Sequence, residues 1–481
     1  MSSRPIGDIV TLLDLTPRDM QDGELFPLQS QTTYWLPNEE RRIRPFTLGV
    51  QSYPLRGPAA FGQRFTFDLG SVNAGDLLLS TVLQINLGHW FDATSQLRFA
   101  SGRYTFTPNQ NPFYYANSLG SVILQQAELE VDGTTIEIVD GDFLNVASLL
   151  FQDVNSQFGF SADGLGRTPF SQLGNVQQGK LFPTQNGTIY VPLPLFFQRV
   201  KLQEAFPLLA CRDGTVRIHI TLRPFSECVR RLNGVRSSCD EVPTGQRTFP
   251  VTDTNPEPIT SLTTIKEPEP TFQNVQLITY SAHTDGTIRQ KILREPFEVL
   301  HRTCNTFLFD EPLKYQVSKN TASDTISVQL PLDINHPMEE ILWFVRRKDA
   351  ANNNAWTNYS AVLQHEWHPI YNPQAPLLHS ALIQLNGIDL IQAEEQWFRQ
   401  HIALRHYGGV AAYNAFVYGY SFADMPAEHQ PSGTANASRL QSVRLTLNVR
   451  GDVGLWEVKV FVVTLEWLRF QDGICNKMFS D

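Results

Sequence analysis

The segment from Tyr418 to Val449 most constrains what this chain can fold into, because its pattern fits two strands joined by an ordered turn region. Tyr418–Phe422 is aromatic-rich, and Gln430–Arg439 follows as a stretch of Pro, Ser, Gly and Asn. Apolar residues then alternate with polar ones at Val443, Leu445, Leu447 and Val449. Period-two alternation bounded by turn formers is typical of a half-buried β-strand. The segment therefore predicts a β-turn-β unit.

Strand patterns of the same kind recur along the rest of the chain. They cover Gln63–Leu69, Leu77–Leu87, Ala127–Val131, Ile189–Leu195, Gly214–Arg223 and Val275–Tyr280. Asp132-Gly133 predicts a hairpin turn, because Gly adopts a positive φ without a Cβ clash. Asp142–Phe151 predicts a short helix. Many short strands with turn residues between them predict an all-β fold.

Two internal echoes indicate that the chain holds two related halves. Ala127–Gly133 matches Ala381–Gly387 in pattern, and acidic residues and an aromatic follow each of them. Val216–Leu222 matches Val458–Leu465, and we expect these two strands to end their respective halves. Two echoes in the same order favour a tandem duplication of one β-domain. Each half, at roughly 200 residues, fits an eight-stranded sandwich of two sheets.

The predicted fold is therefore all-β: two tandem eight-stranded antiparallel jelly rolls, a double jelly roll, with long loops between strands. Residues 1–49 are interpreted as an N-terminal arm and residues 50–228 as the first jelly roll. Residues 229–270 are rich in turn formers and Pro, which predicts a linker or a large insertion. The second jelly roll is expected at residues 271–481.

Charge and cysteine content narrow the function classes. The 481 residues carry a formal net charge of −10, and an acidic protein repels phosphate at long range. Arg41–Arg44 and Arg346–Lys348 are interpreted as solvated loops or ion-pair sites. Five widely spaced cysteines without a Cys-x-x-Cys pair favour a reducing compartment. We expect no signal peptide and no transmembrane helix.

The histidines and cysteines predict no catalytic or metal site. His365-Glu-Trp-His368 places its histidines three apart, whereas a zincin helix needs them four apart on one face. We interpret both as strand-edge or loop residues. His401 and His406 are five apart and do not share a helical face, so a surface or core role is expected. Cys211 follows an apolar run and is expected to pack in the core.

Two further patterns leave alternatives open. Glu339-Glu340 and Glu394-Glu395 could serve a glycosidase, which needs two acids facing across a cleft. Adjacent acids on a strand point to opposite faces, so we expect both pairs at the solvated surface. Trp343, Trp397 and Phe398 could form the sugar-stacking platform of a two-domain carbohydrate-binding β-sandwich, with core packing or a trimer contact as the competing interpretation. We expect no enzymatic activity and no cofactor.

Six stretches follow one order and spacing together with the Pro-Ser-Gly…Asn…Ser-Arg run after Tyr418. They are Tyr190–Phe197, Phe206–Ala210, Val216–Ile218, Asn335–Val345, Leu385–Gly387 and Trp397-Phe398. Over about residues 60 to 475 these motifs resemble the double jelly-roll major capsid proteins of nucleocytoplasmic large DNA viruses. The resemblance marks as structural signature positions Asn335, His336, Pro337, Trp343, Asn386, Gly387, Pro431, Ser432, Gly433, Asn436, Ser438 and Arg439.

The resemblance implies a structural shell protein. Family members form trimers whose six jelly rolls make a pseudo-hexagonal tile, and the tiles pack into an icosahedral shell. For this chain it implies a homotrimer in the virion capsid, assembled in the host cytoplasm, with neighbouring capsomers and minor capsid proteins as partners. It also implies no direct nucleic-acid contact and a position near an inner viral membrane. Leu465–Cys475 departs from the family pattern, which leaves principal capsomer, minor capsomer and scaffold relative as alternatives.

Overall fold

Antiparallel strands dominate the computed structural model, because apolar and polar residues alternate along most of its segments. The structure describes residues 46–70, 75–87, 98–100, 103–105, 113–116, 118–150, 188–199, 204–212, 214–231, 272, 274–321, 324–352, 354–361, 375–406, 416–426, 428–451 and 454–479. Of these, residues from Thr47 onward belong to one compact unit.

Twelve described strands lie in the first half of the chain and eleven in the second. The first set is β1 (Phe46–Pro54), β2 (Arg64–Asp68), β3 (Leu77–Asn86), β4 (Arg98–Ala100), β5 (Arg103–Thr105), β6 (Phe113–Tyr115), β7 (Leu124–Val131), β8 (Thr134–Asp140), β9 (Thr188–Pro192), β10 (Val216–Leu222), β11 (Val229–Arg231) and β12 (Asn274–Thr284). The second set is β13 (Phe297–Phe309), β14 (Gln316–Asn320), β15 (Thr325–Leu332), β16 (Pro337–Arg347), β17 (Leu378–Leu385), β18 (Ile388–Glu394), β19 (Val417–Ser421), β20 (Ala435–Asn436), β21 (Val443–Arg450), β22 (Trp456–Gln471) and β23 (Ile474–Lys477). The described α-helices are α1 (Leu119–Ile123), α2 (Gly141–Leu150), α3 (Phe225–Cys228), α4 (Gly286–Arg294), α5 (Lys348–Asn352) and α6 (Glu395–Arg405).

Both halves arrange eight main strands in the same order. In the first half one sheet runs β1-β12-β3-β9 and the other runs β2-β10-β7-β8. In the second half the sheets run β13-β22-β16-β19 and β15-β21-β17-β18, with β14 added at the edge beside β15. Numbered within each half, both jelly rolls therefore have sheets of order 1-8-3-6 and 2-7-4-5. This repeated order confirms the double jelly-roll fold.

Alternation along the strands builds the core between the two sheets of each half. In β10 the residues Val216, Ile218, Ile220 and Leu222 are buried, and the residues between them are partly exposed. In β21 the predicted alternation of Val443, Leu445, Leu447 and Val449 is confirmed in the same way. Each fully buried Val, Leu or Ile contributes about 1.5–3 kcal/mol. One contiguous cluster of buried apolar residues includes members of both halves.

Strand pairing corrects the predicted boundaries. β12 lies within the predicted second jelly roll, but it pairs with β1 and with β3, where Leu277 faces Leu83 and Val275 faces Ile85. A boundary at 271 therefore separates a strand from both of its hydrogen-bonded neighbours. We place the end of the first jelly roll at Thr284, so that residues 229–270 are an insertion between its seventh and eighth strands. β1 likewise begins at Phe46, inside the predicted arm.

The two sequence echoes have different outcomes. The first compares β7 with β17, which are the fourth strands of their halves, and it therefore matches equivalent strands. The second compares β10, a seventh strand, with part of β22, an eighth strand, so that pairing is wrong. β10 corresponds to β21 instead. The error has a physical reason: strands buried in similar surroundings share Val/Ile/Leu patterns whatever their place in the sheet.

Candidate functional site

The two jelly rolls meet along the outer face of the second half's β13-β22-β16-β19 sheet. Three ring contacts cross this boundary: Phe143 lies 5.4 Å from Phe461, Phe206 lies 5.8 Å from Phe470, and Phe196 lies 5.0 Å from His301. We call this contact region the seam; its main members are Asp140, Asp142, Phe143 and Glu204 of the first jelly roll and Arg302, Arg346, Lys459 and Phe461 of the second. Aromatic packing of this kind fixes the two halves as one body.

A buried ion cluster lies at the centre of the seam. Asp142, at the start of α2, accepts from Arg346 Nη1 at 3.1 Å and from Lys459 Nζ at 2.7 Å. Lys459 also contacts Asp140 Oδ2 at 2.5 Å, and Arg346 Nε donates to Glu457 at 2.7 Å. All of these side chains are largely removed from solvent. Paired burial of this kind is tolerated only when each charge has close partners.

The charges in this cluster hold one another ionised. Burial alone would raise the pKa of Asp142, but the Arg346 and Lys459 charges outweigh it and hold the pKa below its usual range. Burial would lower the pKa of Arg346, and Asp142 and Glu457 together raise it instead. The pKa of Lys459 is raised against burial by Asp142 and Asp140. The seam therefore depends on mutual charge compensation between the two jelly rolls.

A second ion cluster lies nearby and includes Arg302 of β13. Its guanidinium donates to both carboxylate oxygens of Glu339, from Nε at 2.5 Å and from Nη2 at 2.9 Å. Glu204 of the first jelly roll lies 3.6 Å from the same guanidinium. Burial would lower the pKa of Arg302, but the hydrogen bonds and charge of Glu339 raise it. A two-point Arg–carboxylate contact fixes geometry as well as charge.

The structure brings the first and last groups of signature residues together. His336 is buried, with Nε2 3.3 Å from Glu466, and its backbone oxygen accepts from Ala437 N at 3.3 Å. Pro337 begins β16, as the Asn-His-Pro sequence predicts, and pairs with Asn436 of β20. Asn335 is exposed at the residue before His336. These residues therefore close one end of the β16 ladder.

The Pro431–Arg439 run is held by short-range polar contacts. Ser432 Oγ accepts from Met425 N at 2.8 Å, and Asn436 Oδ1 accepts from Ser438 N at 3.1 Å. Gly433 leaves no room for a side chain, because a Cβ there would lie 2.6 Å from the Phe422 oxygen. Arg439 is exposed and Pro431 half-buried. The signature in this run is thus a backbone-shaping one.

Asn386-Gly387 forms the turn between β17 and β18, with positive φ at both residues. Asn386 Oδ1 accepts from Gln441 N at 2.7 Å, just before β21. The first jelly roll repeats this arrangement: Asp132-Gly133 also has positive φ at both residues, and Asp132 Oδ1 accepts from Thr215 N at 2.6 Å, just before β10. One device therefore ties the fourth–fifth hairpin to the seventh strand in both halves.

The aromatic residues lie mainly in the core. Trp343 and Phe398 are fully buried with ring centroids 5.2 Å apart, and Tyr418 lies 6.1 Å from Trp343. Both Trp343 and Phe398 are thereby unavailable to a sugar, which supports the core-packing interpretation. Trp397 is partly exposed and stacks on His401 at 4.5 Å. Trp343 is distant in role from the other signature residues, since it fills the interior of the second jelly roll.

The expectation for the acidic pairs is wrong for three of the four residues. Glu339 and Glu340 are both fully buried, and Glu395 is buried beside Arg399, 2.8 Å away. A register shift between Met338 and Glu340 breaks the simple alternation of β16, so both acids turn away from solvent. Glu339 meets Arg302, and Glu340 accepts from or donates to His406 Nε2 at 2.8 Å. Each acid is held by a partner of its own.

The other candidates resolve simply. Cys211 is buried as predicted, and a hydrogen bond with Cys475, followed by burial, raises the pKa of its thiol. His401 is half-buried and His406 buried, in accordance with the expected surface or core role. Arg346 confirms the ion-pair interpretation of its basic run. His365, His368 and Arg41–Arg44 lie outside the described residues.

No group of three or more His, Cys, Asp or Glu suited to a metal ion occurs in the part of the chain that the structure describes. Within those same segments, no helix combines the length and apolar character needed to cross a membrane. The described chemistry is therefore that of internal ion pairs, hydrogen bonds and packing.

Sequence reasoning did not find the seam charges. One signal was present, because Lys459 interrupts the run Val458 to Val463, in which every other residue is apolar or aromatic. A lone charge in a run that is otherwise apolar indicates a buried partner. The identity of that partner, Asp142, lies 317 residues away in sequence and has no local signature.

The chain matches two family models. Residues 303–464 match the large eukaryotic DNA virus major capsid protein family, and residues 35–254 match the major capsid protein N-terminus family. The chain is 23% identical over 428 residues to the major capsid protein of Paramecium bursaria Chlorella virus 1, a match covering 85% of this chain and 81% of that protein. It is 22% identical over 483 residues to the major capsid protein of Trichoplusia ni ascovirus 2c, covering 95% and 88%. Its fold is similar to a chain of the PBCV-1 virus capsid quasi-atomic model, with a TM-score of 0.65, 18% identity and coverage of 93% and 100%.

Proposed function

The chain belongs to the major capsid proteins of large eukaryotic DNA viruses, and we propose that three copies of it form a pseudo-hexagonal capsomer that tiles an icosahedral shell. As a member of this family it is a structural component of the virion capsid and not an enzyme. The trimer and the tiling are the parts that we propose. Among the alternatives, the relatives named as major capsid proteins favour a principal capsomer over a minor one.

The observation that carries the proposal is the repeat of one strand order in two jelly rolls fused by a buried seam. Each chain then supplies two similar halves in one rigid body. Three-fold symmetry acting on such a body gives six near-equivalent edges, which suits a hexagonal lattice. The buried ion cluster supports this, because a flexible link between the halves would not keep the six edges in register.

Further parts of the proposal concern the surroundings of the capsomer. We infer neighbouring capsomers and minor capsid proteins as partners, assembly in the host cytoplasm, and a position near an inner viral membrane. The net charge of −10 supports a shell that does not hold the genome by direct contact. Residues 1–45 are proposed as the arm that precedes the first jelly roll.

The test is the solution mass of the purified chain, measured by light scattering after gel filtration. Three chains of 54.4 kDa give a stable species of about 163 kDa if the capsomer forms. A folded chain that remains at 54.4 kDa at micromolar concentration contradicts the trimer. Electron microscopy of the same fraction should then show pseudo-hexagonal particles, which a three-lobed or open assembly would not match.

A further inference from the structure

The outer faces of the two equivalent sheets differ in their covering. In the second jelly roll the outer face of β13-β22-β16-β19 is covered by the seam. In the first jelly roll the outer face of β1-β12-β3-β9 leaves Leu48 and Val50 64% exposed and Tyr280 44% exposed. Tyr53 and Gly49 of β1 point the other way, toward the core and toward His283. An apolar row on a sheet face is a mark of an interaction surface.

These exposed residues form one surface across two neighbouring strands. The amide of Leu55 donates to the Val275 oxygen at 3.0 Å, and the Thr279 hydroxyl donates to the Gln51 oxygen at 3.4 Å. This antiparallel register sets Val50 opposite Tyr280, with both side chains on the outer face. We call Leu48, Val50 and Tyr280 the receiving surface.

The element that covers the second sheet has an equivalent that covers nothing within the chain. In the first jelly roll the helix α2 follows the fifth strand directly, and Phe143, three residues after that strand, packs against Phe461 in the seam. In the second jelly roll α6 follows the fifth strand directly, and Trp397 holds the same position, three residues after β18. Phe143 is buried by its neighbour, whereas Trp397 is 38% exposed.

Other exposed apolar residues extend the surface around Trp397. Leu404 on α6 is 85% exposed, and Ile388 on the preceding edge strand β18 is 73% exposed. By comparison, all but two residues of α2 are buried. We call Ile388, Trp397 and Leu404 the docking surface. It is the counterpart of a surface that is already occupied in the first jelly roll.

We propose that the docking surface of one copy binds the receiving surface of a second copy, and so repeats between chains the contact that α2 makes within the chain. The proposal rests on the proposed trimer and names the surfaces that form it. Because the two surfaces differ and lie on different jelly rolls, the contact is heterologous and closes only as a ring. Three seams and three such contacts would alternate around six jelly rolls.

The decisive experiment uses two full-length variants, Val50→Glu on the receiving surface and Leu404→Glu on the docking surface. Each should weaken self-association at least tenfold, because a carboxylate in an apolar contact must be desolvated without a partner, and each should run near 54.4 kDa by light scattering. Circular dichroism should be unchanged, since both residues are exposed. Val317→Glu, which changes a valine of the same 64% exposure on β14, should remain trimeric.

Mixing the two variants gives a result that a symmetric interface cannot give. Each Leu404→Glu chain retains an intact receiving surface, and each Val50→Glu chain retains an intact docking surface. An equimolar mixture should therefore form a species of two chains, about 109 kDa, that does not grow into a ring. A mixture that stays monomeric overturns the proposal, and so does a trimer that survives either substitution.

The other possible occupant of the receiving surface is residues 1–45 of the same chain, which directly precede β1. Hydroxyl-radical labelling of Tyr280 in the monomeric Leu404→Glu variant separates the two. Labelling should increase relative to the trimer if a second copy covers Tyr280; equal protection in both assigns the surface to the chain's own residues and overturns the proposal. If the unmodified chain is itself monomeric, the trimer fails, which is distinct from a trimer that ignores both substitutions.

Discussion

The first and second jelly rolls share one strand order, yet β12 and β22, their eighth strands, differ in how they are buried. β12 alternates between buried and exposed residues for most of its length. β22 is buried without interruption from Val458 to Glu466, because the seam lies on one side of it and the core on the other. A half-buried strand alternates, and a strand covered on both faces reads as a continuous apolar run. The comparison teaches that periodicity records which sheet face carries a neighbour, which strand order alone does not.

The comparison breaks most directly at the ion cluster that covers the second sheet. Arg346→Ala should lower the free energy of unfolding by roughly 3–5 kcal/mol, because it leaves Asp142 and Glu457 buried without their main cation. Urea unfolding monitored by fluorescence measures this. Lys291→Ala removes a cation whose side chain is 74% exposed beside Glu295 and should cost under about 1 kcal/mol. Equal losses in both variants would contradict the structural role of the seam.

A matched pair of aromatic truncations sharpens the comparison between the covered and the open helix. Phe143→Ala should cost about 3 kcal/mol, because a buried ring against Phe461 is lost. Trp397→Ala, at the equivalent position, should cost about 1 kcal/mol within one chain, because only the stacking on His401 and Phe398 is lost. Urea unfolding of both variants in the same oligomeric state gives the difference. A larger loss for Trp397→Ala would reverse the assignment of the covered helix.

Protonation tests the second jelly roll's side of the seam. Burial, with a contribution from the Lys477 charge, lowers the pKa of His301 to about 3, although a hydrogen bond with Glu466 opposes the shift. The unfolded imidazole binds a proton near pH 6.5, so the unfolded state gains protons first and stability falls as the pH decreases from about 6.5 toward 3. Between pH 7 and pH 5 this contributes a loss of about 2 kcal/mol.

The variant His301→Gln removes that proton uptake. Its loss of stability between pH 7 and pH 5 should be about 2 kcal/mol smaller than that of the unmodified chain. Urea unfolding at the two pH values measures the slope, and the range lies above the normal titration of carboxyl groups. An identical slope in both proteins would show that His301 is not kept neutral by its surroundings.

The smallest expected effect tests where the two jelly rolls are alike. Asp132→Ala and Asn386→Ala each remove a side-chain acceptor and place an alanine at positive φ. Each should lower the melting free energy by about 1 kcal/mol. Thr134→Ala, in the exposed part of the same first-half hairpin, should change it by less than about 0.5 kcal/mol. Clearly unequal losses at Asp132 and Asn386 would contradict the view that the two turns are one repeated device.

The sequence predicts the parts of this fold that depend on neighbours along the chain. Alternation in β2, β10 and β21 reports burial directly, and Asp132-Gly133 specifies its turn because only a few residues accept positive φ. The motifs around Asn335–Pro337 and Pro431–Arg439 likewise mark strand ends. These features act over a few residues, so a local pattern suffices to find them.

The features that sequence reasoning missed depend on contacts between distant segments. Glu339 and Glu340 have no local mark of their register shift, and their partners Arg302 and His406 lie elsewhere in the chain. The place of β12 is set by β1 and β3, not by the turn-rich residues before it. Burial of a charge is decided by its partner, and a partner across a domain boundary leaves no periodic trace.

The position of β12 also determines when the first jelly roll can be completed during synthesis. β12 lies between β1 and β3 in the sheet, so neither of these strands has its full set of neighbours until Thr284 has left the ribosome. Closing such distant pairings is entropically costly and slow. The nascent chain therefore exposes unpaired strand edges for most of the translation of its first half, and α2 meets Lys459 only near the end. Chaperone demand should accordingly be greatest before residue 284 is made.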